Sequence, residues 1–95
     1  MEKEAIIIEA KRVIRKYLPA EYRIVLFGSW VRGNALPTSD IDIGIVGNKK
    51  VPWNTMVEIL QEIDMIRTLR SIDVVDLNAV EKRFQEEALK SAQPL

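Results

Sequence analysis

The chain reads as an α/β protein with one small mixed sheet and helices packed against it, all within a single domain spanning residues 1–95. Three observations predict this. Segments with helical apolar spacing alternate with short strand-like runs along the whole chain. The strand-like runs, RIVLF, IDIGIV and IDVVDL, are rich in β-branched residues. Pro and Gly stand between the runs, at Pro19, Gly28, Gly33, Gly47 and Pro52, where turns and helix ends are needed.

Residues 2–18 form the first predicted helix. Ile6, Ala10, Val13, Ile14 and Tyr17 recur at helical spacing, with Lys11, Arg12, Arg15 and Lys16 between them, and Pro19 stops the helix. Arg23 to Phe27 follows as a short, mostly buried strand ended by Gly28-Ser29. Residues 29–33 are expected to make a helical turn closed by Gly33, and Asn34 to Ser39 have loop composition. Ile41 to Val46 is a strand by alternation. Ile41, Ile43 and Ile45 face one way; Asp40, Asp42 and Gly44 face the other. After a turn over Gly47 to Lys50, Pro52 opens a helix in which Met56, Ile59, Leu60, Ile63 and Ile66 follow one face to about Leu69. Ile72 to Leu77 is the third strand. Asn78 and Glu81 have capping-box spacing for a last helix to about Ser91, with Val80, Phe84, Ala88 and Leu89 as its inner stripe.

Composition narrows the chemistry. The apolar fraction of 47% and charged fraction of 29% are ordinary for a folded domain, so extensive disorder is not expected. Net charge is zero, with 14 basic and 14 acidic residues, which argues against strong non-specific nucleic-acid binding. The chain has no cysteine and no histidine, so thiolate metal sites and His-dependent catalysis are excluded. Metal chemistry must use oxygen ligands, which suit Mg²⁺ or Mn²⁺. The N-terminus does not read as a signal peptide and no apolar run is long enough to cross a bilayer, so a cytoplasmic protein with no membrane association is expected.

Two features carry the candidate chemistry. Asp40 and Asp42 lie two apart on a strand, so both carboxylates point to one side. Like charges that close repel, and a divalent cation held between them relieves the repulsion. A D-x-D pair by itself more often marks the solvent-facing polar side of an edge strand. Gly28-Ser29, directly after a buried strand, permits a sharp turn and close ligand approach. The Ser29 hydroxyl and the following backbone N–H groups can donate to phosphate oxygens. The combination brings phosphate donors and metal carboxylates together from adjacent strand ends. Arg32 lies between them, as a phosphate contact or as the partner of a nearby acid. Lys49 and Lys50 are further cations that could reach a triphosphate, or a solvated turn. Trp30 and Trp53 are candidates for stacking on a base or for packing.

Gly28-Ser29 followed by Asp40-x-Asp42, with Arg32-Gly33 and Ser39 between, resembles the motif of the DNA polymerase β-type nucleotidyltransferase superfamily. The short chain resembles its minimal nucleotidyltransferase branch, whose MntA-type antitoxins pair with HEPN-domain proteins. The resemblance runs from about Arg23 to Leu77. It implies the nucleotidyltransferase fold, two Mg²⁺ ions and use of a nucleoside triphosphate. It further implies transfer of AMP from ATP to a hydroxyl, with a Tyr of a HEPN partner as the expected acceptor. The catalytic and metal residues it implies are Asp40, Asp42 and a third carboxylate on the third strand. Asp73 is preferred because the stretch resembles the family's V-D-L-V, while Asp76, three residues on, is the alternative or a cap for the next turn beside Asn78. Gly28, Ser29 and Arg32 would bind the nucleotide. The acceptor surface is expected from another chain, a HEPN partner or a second copy of this one. The competing reading is a subunit that binds nucleotide without transferring it and acts by occluding its partner.

Overall fold

The computed structural model describes residues 3–28, 31, 33 and 40–95. Among these, three helices and four strands follow in the order α1 (Lys3–Tyr17), β1 (Arg23–Phe27), β2 (Ile41–Val46), α2 (Trp53–Ile63), β3 (Ile72–Asp76), α3 (Lys82–Leu89) and β4 (Gln93–Pro94). The strands form one mixed sheet in the order β3-β2-β1-β4. β1 runs antiparallel to β2 and β4, whereas β2 and β3 are parallel. A parallel pair needs a crossover, and α2 supplies it.

The strand period of two divides the sheet into two faces with different tasks. On one face Ile24 and Leu26 of β1, Ile41, Ile43 and Ile45 of β2 and Val74 of β3 meet Ile6, Ala10, Val13 and Ile14 of α1 and Ile59 and Ile63 of α2. The three β2 isoleucines are fully buried. Each contributes about 1.5–3 kcal/mol relative to an exposed side chain. On the other face Val25, Val46 and Leu77 form a second, smaller cluster, with Val75, Val80, Ala88 and Ala92 packed against it. The D-x-D side of β2 is therefore not a wholly polar face. It changes character along one strand, from Asp42 through Gly44 to the buried Val46.

Gly44 is what allows that change. A Cβ there would stand 2.5 Å from Leu77 Cδ1 and 3.2 Å from Val25 Cγ2, so the missing side chain is the space that Leu77 fills. At the periphery, α1 and α2 are joined by Glu62, which accepts a hydrogen bond from Tyr17 Oη at 2.6 Å and from Lys16 Nζ at 3.0 Å. The Tyr17 bond, then the Lys16 bond, hold the Glu62 carboxyl below its ordinary range. The same contacts with Glu62 raise Tyr17 and Lys16.

Four expectations are corrected. The second helix ends at Ile63 and not near Leu69: Met65 and Ile66 donate to carbonyls three residues back, a tighter turn that starts the return to β3. Ile66 still reaches the core from that turn. The capping box at Asn78 is not formed. The Asn78 amide donates to Asp76 and its oxygen accepts from the Gly47 N–H, so the helix begins later, with Glu81 at its N-cap and no side-chain cap bond. Leu89 is 37% exposed and does not join an inner stripe. Finally, the residues after α3 add the short strand β4 to β1, with Leu95 N–H donating to the Ile24 carbonyl at 2.9 Å. No helix among the described residues is long and apolar enough to cross a membrane.

Candidate active site

The candidate site lies where β1 ends and β2 and β3 begin. In the pairing register Phe27 stands opposite Asp42, and Asp42 stands opposite Asp73. Neighbouring residues in register point to the same face of a sheet. The Asp42 and Asp73 side chains therefore leave adjacent strands on the same side, from backbones about 4.8 Å apart. Asp42 is half-buried and Asp73 exposed. Asp40 is exposed and sits immediately before β2, on the same side as Asp42 by strand parity.

Gly28 closes β1 with φ +82°, a left-handed conformation that L side chains seldom adopt. A Cβ on Gly28 would collide with Asp42, with the nearest approach to Oδ2 and with Cγ only 3.1 Å away. The β1 turn and the Asp42 carboxylate are thus in direct apposition, and the turn must be glycine for both reasons. The Val31 N–H donates to the Gly28 carbonyl at 3.2 Å, and Gly33 also has positive φ, +78°. Ser29 and Arg32, the other two predicted nucleotide contacts, lie outside the described residues, as do Trp30 and Ser39.

The two acids of β3 have different surroundings. Asp73 shares the face of Asp42 and opens to a cleft. Asp76 is buried on the other side and its carboxylate is taken up by the protein. Oδ2 accepts from the Val51 N–H at 2.7 Å, and Oδ1 accepts from Asn78 N–H at 3.0 Å and Asn78 Nδ2 at 2.8 Å. A carboxylate so used has little capacity left for a metal ion.

The cleft has a volume of about 560 Å³, a size suited to a small-molecule ligand. Gly28, Asp42 and Asp73 lie in its wall together with Phe27, Val75 and a stripe of α3. Phe84 and Glu87 of that stripe, and Ser91 just beyond the end of α3, are not marked as site residues by the sequence. The i, i+3 spacing of Phe84 and Glu87 marks one helix face, but only the fold shows that this face lines the cleft of Asp42 and Asp73. Lys49 and Lys50 follow the far end of β2, beyond Val46, which is about 13 Å along the strand from Asp42. They are exposed and are not brought to the cleft. Trp53, at the start of α2, is 81% exposed and packs against little.

The donor set fits hard divalent cations. It is made of carboxylate oxygens in register, in a chain with no histidine or cysteine. Among the described residues no three acids are gathered closely enough to form a metal group by themselves. Asp42 and Asp73 are the two acids that the strand register brings to one side of the sheet, with Asp40 just before β2.

Comparison with known proteins identifies the family and the fold. The family model "Polymerase beta, Nucleotidyltransferase" matches residues 9–95. No curated protein sequence matches the chain. Among solved structures, a toxin–antitoxin complex with AMP-PNP matches with TM-score 0.72 and 24% identity, covering 98% of this chain and 72% of that one. A tri-AMPylated Shewanella oneidensis HEPN toxin in complex with MNT antitoxin matches with TM-score 0.71 and 18% identity, covering 98% and 71%. A structure provisionally assigned as a minimal nucleotidyltransferase matches with TM-score 0.70 and 21% identity, covering 100% and 97%. At these identities the solved structures establish the shared fold, while the family model covers nearly the whole chain. With its carboxylates in register beside a glycine turn, the chain belongs to the polymerase β nucleotidyltransferase family.

Proposed function

We propose that the chain transfers AMP from ATP to a hydroxyl acceptor, a Tyr of a HEPN-type toxin partner, and so acts as the antitoxin of a pair. The observation that carries this reading is the register of Asp42 with Asp73 beside the positive-φ Gly28. The fold it shares with a nucleotide-bound toxin–antitoxin complex and with the complex of an AMPylated HEPN toxin supports the choice of nucleotide and partner.

In this reading Asp40, Asp42 and Asp73 would hold two Mg²⁺ ions, for which Mn²⁺ could substitute. When bound, such ions lower the pKa of an attacking hydroxyl and stabilise a leaving pyrophosphate. The turn at Gly28, set against Asp42, receives the triphosphate, and Ser29 and Arg32 contact the phosphate oxygens. Asp73, exposed on the cleft side, takes the proton of the acceptor hydroxyl. The acceptor oxygen bonds to the α-phosphorus as the bond to the β-phosphate bridge breaks, and pyrophosphate leaves.

The test is intact-mass analysis of the partner after incubation with this protein, Mg²⁺ and each nucleoside triphosphate. The expected result is added AMP mass from ATP, absent with Asp42→Asn. If the partner is silenced with no change in mass, and equally well by Asp42→Asn without ATP, the protein acts by occlusion and the transferase reading is wrong.

A further inference from the structure

The wall of the cleft opposite the sheet has a feature that the transfer chemistry leaves unused. α3 has no buried residue, and its Phe84 is 50% exposed. The Phe84 ring meets Phe27 edge-to-face, with centroids 6.4 Å apart and planes at 86°. Phe27 is itself buried, pairs across from Asp42 and precedes Gly28. Phe84 is thus held in orientation by a core aromatic one strand-neighbour from the carboxylates, while half of its surface stays open on a cleft that those carboxylates share. A helix serving only to cover Val25, Gly44 and Val75 would gain more by burying its one aromatic side chain.

We propose that the open surface of Phe84 is the platform on which the nucleobase of the bound triphosphate stacks. The proposal rests on the nucleotidyltransferase reading and adds to it the position of the base. Two features orient the nucleotide this way. The phosphates belong at the turn that follows Gly28, next to Asp42. Every base has a π face, so a Phe platform serves whichever nucleotide is used. Removing such a stacking partner weakens nucleotide binding roughly 5- to 150-fold.

Binding to the full chain is measured by calorimetry with Mg²⁺, using ATP and inorganic tripolyphosphate as ligands. Phe84→Ala is expected to weaken ATP within that range and to leave tripolyphosphate unchanged. Phe84→Tyr, which keeps the ring, is expected to bind ATP as the parent does. Phe84→Ala gives up the edge contact with Phe27, so all titrations are run well below its Tm, and Phe84→Tyr should unfold close to the parent. Unaltered ATP affinity in Phe84→Ala overturns the platform. Equal weakening of ATP and tripolyphosphate also overturns it, since Phe84 would then only maintain the shape of the cleft. A change confined to the KM of the acceptor assigns this wall to the acceptor and overturns it as well. If the parent protein binds neither ligand, the nucleotidyltransferase reading itself fails, an outcome distinct from a failure of Phe84 alone.

Discussion

Asp73 and Asp76 stand three residues apart on one strand, and substituting each by alanine should produce opposite defects. Asp76→Ala removes an acceptor of three hydrogen bonds. The two from Asn78 are part-buried and can be replaced by water. The one from the Val51 N–H is buried, and its loss strands a donor at about 1–3 kcal/mol. Adding the loss of charge-assisted bonding to Asn78, at about 1.5–3 kcal/mol, gives a destabilisation of roughly 4 kcal/mol. For a domain of this size each kcal/mol lowers Tm by about 4–8 °C, so the expected fall is about 15–30 °C. Asp73→Ala removes an exposed side chain and should change stability by no more than about 0.5 kcal/mol, while abolishing AMP transfer. Thermal unfolding followed by circular dichroism gives the first quantity. Transfer measured well below each variant's Tm gives the second. Asp76→Asn provides a graded control, because its amide keeps an oxygen for one set of donors and turns an N–H₂ toward the other. It should lie between parent and alanine variant. The reasoning is refuted if Asp76→Ala melts with the parent protein, or if Asp73→Ala unfolds as early as Asp76→Ala.

Gly28→Ala should lose transfer and about 1–3 kcal/mol of stability, since the residue combines positive φ with a collision against Asp42; a kinetic assay beside a urea titration checks both. Gly44→Ala should cost about 1–3 kcal/mol by displacing Leu77 and Val25, and near-ultraviolet circular dichroism and unfolding curves would show it; a neutral effect would mean that the second cluster is loosely packed. The Glu62 cluster sets a pH window. Glu62 is lowered, so its contribution is present above its unfolded pKa and is lost as pH falls through the lower folded value. Tyr17 and Lys16 are raised, so theirs is present below their unfolded values and lost as pH rises through the folded ones. Because the cluster lies at the surface, with Lys16 exposed and Tyr17 and Glu62 only part-buried, Glu62→Gln should alter stability little at neutral pH and flatten the acid and alkaline limbs of a Tm–pH profile.

Much of the fold was legible because the strands carry strong local signals. RIVLF and the strand from Ile41 were bounded correctly by apolar runs and turn residues, and α1 followed from its periodic stripe. What failed depended on contacts between distant segments. Asn78 and Glu81 have the spacing of a capping box, but the Asn78 amide is engaged by Gly47, 31 residues away, and by Asp76. The periodic pattern past Ile63 belongs to a tighter turn that still buries part of Ile66. Strand β4 has no β-propensity signal at Gln93-Pro94, and it forms because β1 offers an unpaired edge. At the site, the alternation of β2 showed which way Asp42 points. It could not show that Phe84, 42 residues later, stands over the same cleft.

The two acids of β3 are connected through register. Strand side chains alternate, so a one-residue slip of β3 against β2 would turn Asp73 to the isoleucine core and bring Val74 to the cleft. The apolar pattern alone resists this weakly, since Ile72, Val74 and Val75 are all acceptable on a buried face. Asp76 adds a polar lock. It ties the end of β3 to Val51, in the connection that leads from β2 into α2, and through Asn78 to Gly47 at the end of β2. Those bonds are met in one register only, and in that register Asp73 stands opposite Asp42. The acid whose oxygens are engaged inside the protein therefore helps hold the cleft-side acid in place. This also explains why two aspartates three apart, which must face opposite ways on a regular strand, both belong in a stretch of five residues.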